Sequence, residues 1–252
     1  MIRRVTETTD PGVDDDHGWT ERLAWAYGLT APDPAERATA LARLAGAREE
    51  AESALLRLYK AWFPTSRSRA QKAYDEAARH CLPHALWGRQ HSGTIDAWAG
   101  LPFALLFLEW EARYPQEWTE HAKAWGTKQS LIRELAAADH DDRVRAKLVE
   151  LVDLVVQRPY RCKDREYVRV ARAVDGDELR GRLHRALRSE NSWAQLHAGH
   201  VLWLLDHPDV PNTRHVWRTW LADTGGGCGT PAYGPGIAAC AGERPMGGPE
   251  QG

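Results

Sequence analysis

Cysteine is scarce in this chain of 252 residues, which holds only Cys81, Cys162, Cys228 and Cys240. No two are spaced as CxxC or CxxxC. Neither a zinc ribbon nor a disulfide framework is expected, and a reducing, cytoplasmic setting is the default. Long apolar runs are also missing. The most apolar stretch, Leu101–Trp110 (LPFALLFLEW), falls far short of the roughly 20 residues a bilayer-crossing helix needs. It reads as a buried core helix, and no membrane partner is expected. The N-terminal MIRRVTETTDPGVDDDHGW has no apolar stretch behind its arginines, so no secretory signal is expected. Excess charge of one sign is absent too. The formal net charge is -2, so no global field draws the whole chain to nucleic acid or to membrane.

The familiar catalytic signatures are missing as well. There is no Gly-rich phosphate loop, Rossmann fingerprint, GxSxG or HExxH. No carboxylate pair forms a convincing acid/base couple. No catalytic residue, metal site or cofactor is therefore expected. No stretch alternates with period two, so strands are not expected either.

Amphipathic helix signals are what remain, and they are numerous. Hydrophobic residues make up 43% and charged residues 27%, an ordinary globular balance. Twelve tryptophans supply large apolar bodies, each with one N–H to satisfy. Asp33-Pro34-Ala35-Glu36 is a helix start: Asp33 can cap, Pro34 has no N–H to orphan, and Glu36 suits a capping box. Apolar residues then recur at Leu41, Leu44 and Ala45, and at Ala51, Leu55, Leu58, Tyr59 and Trp62. Gly46 is a point where this helix could split. Further helices are expected over 66–81, 101–113, 117–124, 128–138, 141–157, 163–174, 177–188, 191–206 and 213–222. In 141–157, Val144, Leu148, Leu151, Val152 and Val155 make one stripe.

The expected organisation is a disordered lead-in over 1–17, one helical domain over 18–224 with a sub-boundary near 127–140, and a disordered Gly/Pro-rich tail over 225–252. The starts DPAERATALARL from Asp33, DDRVRAKLVELV from Asp141 and SENSWAQLHAGHVLWLL from Ser189 are alike. Each sets a turn-forming polar residue before Leu or Ala spaced three and four apart. Residues 141–222 are a succession of short helices with short connections. This half resembles HEAT-type α-helical repeats. The fold expected is all-α, an irregular helical bundle with a HEAT-like C-terminal half. The resemblance implies interaction surfaces, sometimes facing nucleic acid, and transfers no functional residue.

Two groups of residues are candidate sites. NSWAQLHAGHVLWLLDHPDVPNTRHVWRTW, from Asn191 to Trp220, contains an HxxH. On a helix, Trp193, His197 and His200 share a face. With Trp203 and Asp206 they are groove candidates, and Gly199 would let a neighbouring helix approach closely. His197 and His200 could also bind a metal, but no third ligand sits at a diagnostic spacing. The second group is basic. From Arg143 to Arg188 thirteen Arg/Lys face seven Asp/Glu. Arg158, Arg161, Lys163, Arg165, Arg169 and Arg172 interleave with Tyr160 and Tyr167, as an anion-binding or nucleic-acid-binding face would. Arg165, Arg169 and Arg172 are expected on one helical face. A third pair, Cys81 and His84, reads as a helix end rather than a nucleophile and its base. The function expected is non-catalytic recognition: a scaffold that binds a protein partner through a groove between helices. Nucleic-acid binding by the 143–188 face is the first alternative. HEAT-like folds include DNA glycosylases, for which Trp203 and Asp206 qualify by residue type. A metal-dependent enzyme using His197 and His200 is the second.

Overall fold

The structure is a computed structural model, and it describes residues 16–87 and 94–224. Most of the expected lead-in and all of the expected tail, with Cys228 and Cys240, lie outside the described residues. Among the described residues there are eleven α-helices, four short 3-10 segments and no strand. No described helix is long and apolar enough to cross a membrane. The contacts divide the chain into two compact units, Met1–Lys123 and Ala124–Gly252. The division falls just before the expected sub-boundary. It coincides with Lys123, one of two non-glycine residues with positive φ (45°).

The first unit holds α1 (Asp16–Leu23), α2 (Pro34–Tyr59), α3 (Pro64–Arg79), α4 (Leu101–Arg113) and α5 (Pro115–His121). The Asp33 cap forms as expected: its carboxylate accepts from the Ala35 amide at 3.0 Å. That satisfies one donor orphaned at the helix start. Gly46 does not split the helix, because α2 runs unbroken for 26 residues. One glycine costs about 1 kcal/mol against alanine, which neighbouring helix-favouring residues offset. Pro64 opens α3 rather than closing α2, since a proline at the first helical position loses no bond.

Helix α4 is the core, with Phe103, Phe107, Leu108 and Trp110 all buried. Trp19 stacks on Phe103 at 5.9 Å and meets Trp98 edge-on at 5.3 Å. Gly100 is required by that packing. A Cβ there would lie 2.4 Å from the Trp98 ring and 2.8 Å from that of Trp19.

The second unit holds α6 (Trp125–Ala137), α7 (Asp142–Val156), α8 (Tyr167–Ala173), α9 (Asp177–Leu187), α10 (Ser192–Asp206) and α11 (Arg214–Thr224). Side-chain caps start three of them. Asp141 accepts from Val144, Asn191 accepts from Trp193 and Ala194, and Thr213 caps α11 by accepting from Val216 at 3.2 Å. Helix α7 packs on α8 and α9, α9 on α10, and α8 on both α6 and α10. The order is thus two layers, α6/α8/α10 against α7/α9. The buried stripe of Leu148, Leu151, Val152 and Val155 follows the expected spacing.

Candidate functional site

The histidine-rich stretch packs inward. Helix α10 places His197 and His200 fully inside the second unit. The His197 ring stacks on Tyr160 at 3.6 Å, with Trp193 and Trp217 beside it. His200 meets Trp217 and Trp220 edge-on at 4.5 and 5.0 Å. Neither of its ring nitrogens has a hydrogen-bond partner. Burial removes both imidazolium ions from water. It lowers His197 to about 4, against opposing hydrogen bonds with the Val156 and Arg158 backbone. It lowers His200 to about 3, helped by His197 and Arg165 nearby. Trp203 and Trp193 are half-buried, and Trp203 stacks on His207. Asp206 is exposed and accepts from Arg180 at 2.7 Å. Among the described residues no group of three His, Cys, Asp or Glu could hold a metal ion. The expected role of Gly199 in close approach needs correction. An added Cβ would sit 3.5 Å from Leu187 and Trp220, an ordinary contact that alanine could make.

The basic residues of 158–172 are drawn mainly into internal bonds. Asp164 is buried and accepts from Lys128, from Arg158 at 2.6 Å and from the Arg161 amide at 2.7 Å. Lys128 is itself fully buried, near the Trp125 and Tyr167 rings. Burial pushes the Asp164 carboxyl up, but the Lys128 and Arg158 charges and their hydrogen bonds outweigh it and hold it low. The Arg161 guanidinium covers Trp125 at 5.1 Å. Arg169 pairs with Glu166 at 2.9 Å. Arg172 reaches the carbonyls of Leu204, His207 and Val210, closing the C-terminal end of α10. The expected single helix carrying Arg165, Arg169 and Arg172 starts later than 163: α8 begins at Tyr167. Arg165 lies in the 3-10 segment Asp164–Glu166 that precedes α8. Lys163 and Arg165 make no ion pair among the described residues. The backbone has a reason to turn here: Lys163 takes a left-handed conformation, φ 67°, which lets the chain wrap the Asp164 carboxylate.

Cys81 and His84 do meet, with Nδ1 at 3.3 Å from Sγ. The thiol is fully buried. Burial pushes it up to about 12, against the lowering effect of Arg48. Burial also lowers His84. Both shifts favour the neutral thiol and imidazole over the thiolate–imidazolium pair that nucleophilic catalysis uses. Iodoacetamide at pH 8 should leave the Cys81 peptide unmodified in the folded protein and alkylate it after denaturation. Peptide mass spectrometry reads this directly, and rapid native alkylation would contradict it. The same unit has an open depression of about 200 Å³, lined by Leu44, Ala45, Arg48, Glu49, Glu52 and His121. Arg48 is engaged there by Glu52 at 2.8 Å and by the His121 carbonyl at 3.1 Å.

Most of the exposed large apolar side chains among the described residues lie elsewhere, at the end of the α2–α3 hairpin. The stripe expected to be core stops at Ala54, the last buried residue of α2. Beyond it Leu56 is 58% exposed, Tyr59 72%, Trp62 91% and Phe63 74%. The helix that packs most on α2 is α3, which follows the tip, and α3 buries no residue of its own. Its half-buried positions are Ala70, Tyr74, Ala77 and Ala78, mostly too small to cover a tryptophan. Charge is one-sided as well. Between residues 53 and 74 the chain has Arg57, Lys60, Arg67, Arg69 and Lys72 and no acid. All five are exposed, and none makes an ion pair among the described residues. A charge count over 53–74 would have found this cluster. Helical periodicity concealed it, because a stripe of aromatics reads as core.

Comparison with known proteins returned no matching family model, no similar curated protein and no similar solved structure.

Proposed function

We propose that this chain is a non-catalytic recognition protein whose α2–α3 hairpin is the docking arm for a macromolecular partner. The observation that carries this reading is the group of four exposed apolar side chains within eight residues, Leu56, Tyr59, Trp62 and Phe63. Exposed clusters of that kind mark interaction surfaces, because leaving them in water is unfavourable. The docking surface moves from the inter-helical groove to the hairpin tip because His197 and His200 are consumed by packing. The two-layer order of α6–α10 supports a HEAT-type scaffold for the second unit, with helix pairs α7/α8 and α9/α10 stacked side by side. A nucleic-acid surface on 143–188 would rest on Lys163 and Arg165, since Arg158, Arg169 and Arg172 are engaged internally.

The test places a photoreactive phenylalanine analogue at position 62 of the full chain, and at exposed Glu120 as control. Irradiation in cells should give a defined adduct at 62, to protein, nucleic acid or lipid, and none at 120. No adduct at 62 above the control rejects the docking arm. The Trp62→Ser and Phe63→Ser variants should keep wild-type stability to within about 0.5 kcal/mol, as exposed positions do. Any lost binding is then not unfolding.

A further inference from the structure

The chemistry of the arm says what it meets. We infer that its partner is an anionic membrane surface, into which the hairpin tip inserts its aromatic residues; the inference rests on the docking-arm reading above. Three features point there. The first is shape. Residues 60–63 link α2 to an α3 that packs back along it, so the tip is a convex turn. Helix α2 extends about 8 Å past Ala54 to Tyr59, close to the depth at which interfacial segments sit. The second is residue type. Trp62 and Tyr59 are amphipathic rings suited to the headgroup region, and Leu56 and Phe63 are suited to the acyl boundary below it. The third is charge. Five exposed cations lie on the same stretch of chain as these rings, in a window, 53–74, that holds no acid and is bounded by Glu52 and Asp75, as polybasic segments do at anionic leaflets.

Other occupants fit less well. A second copy docking tip to tip would set five cations against five, and that repulsion opposes an isologous contact. Single-stranded nucleic acid is gripped in basic grooves, where bases stack on protected ring faces. Trp62, 91% exposed on a turn, offers no groove. No described helix can cross the bilayer, so the seat is on the surface.

The test is vesicle flotation with the full chain. Vesicles of phosphatidylcholine with 30 mol% phosphatidylserine are compared with phosphatidylcholine alone. The expected result is flotation with the anionic vesicles in 0.1 M salt, much weaker flotation with neutral ones, and loss of binding as salt rises to 0.5 M. Trp62→Ser with Phe63→Ser should lower partitioning by about tenfold or more. Lys60→Glu with Arg67→Glu should do the same. Absence of flotation with anionic vesicles overturns the inference. So does equal flotation with neutral vesicles, or binding that neither double variant alters. A 30-nucleotide single strand is titrated in parallel. Binding to it that both double variants abolish, without vesicle binding, reassigns the arm to nucleic acid. A protein adduct at position 62 without vesicle binding also overturns the membrane inference and leaves the docking arm standing. No adduct at 62 removes both.

Discussion

Asp164→Ala should destabilise the protein by about 3–5 kcal/mol, the largest single-residue effect expected anywhere in the described chain. Asp164 is the acceptor for two cations, Lys128 and Arg158, and for the Arg161 amide. Removing it takes a directly bonded carboxylate away from the fully buried Lys128 ammonium. Burying an uncompensated charge costs more than a surface pair ever contributes. Lys128→Met should cost less, because Arg158 and the Arg161 amide still hold the carboxylate. Urea unfolding measures both. The midpoint should fall much further for Asp164→Ala than for Lys128→Met, with the slope unchanged. Equal small shifts would mean that the cluster is solvated in solution. The pH dependence has a definite sign. The folded carboxyl titrates below its ordinary value of 3.8, so its contribution is intact at neutral pH. It is lost only as pH falls below about 4 and through the folded value.

Acidification should act earlier through His197 and His200. Their folded values are about 4 and about 3, against 6.5 for an exposed histidine. The unfolded chain binds protons below pH 6.5 while the folded chain does not. Stability is therefore full above about pH 6.5 and falls as pH drops towards 4. At pH 5 each histidine removes up to about 2 kcal/mol. That is a large share of a typical net stability of roughly 5–15 kcal/mol. Carboxylates titrate mostly below this window, so the two effects separate. His200→Phe is the informative variant. Neither ring nitrogen of His200 is hydrogen-bonded, so an apolar ring among Trp217 and Trp220 leaves no partner unsatisfied. The variant should match or exceed the wild-type melting temperature at pH 7 and lose about half of the fall between pH 7 and pH 5. An unchanged pH profile would show that other groups carry it.

Much of the local structure was legible. Helix α4 runs from Leu101 to Arg113 as its apolar run and Pro115 implied. Caps at Asp33 and Asp141 bind the amides they should, while the cap of α10 is Asn191 and not Ser189, where the expected motif began. These signals are local: a cap needs only the next three residues, and a stripe needs only its own helix. The sites were less legible. Arg172 and Arg169 look equivalent in sequence. One closes the end of α10 and the other pairs with Glu166 in the preceding 3-10 segment. Lys128 and Asp164 stand 36 residues apart, and neither is marked by a motif.

By itself, the sequence determined the helical class and the caps at Asp33 and Asp141. Both follow from periodicity, capping chemistry and the cost of water around apolar surface. Tertiary structure alone decided which apolar stripes find cover. Leu148 and Leu151 are buried because α8 and α9 lie across α7. Tyr59 and Trp62 have the same spacing, but the α3 that packs on α2 is rich in alanine and arginine and buries none of its own residues. A periodic stripe specifies a face, and burial also needs a neighbour large enough to cover it.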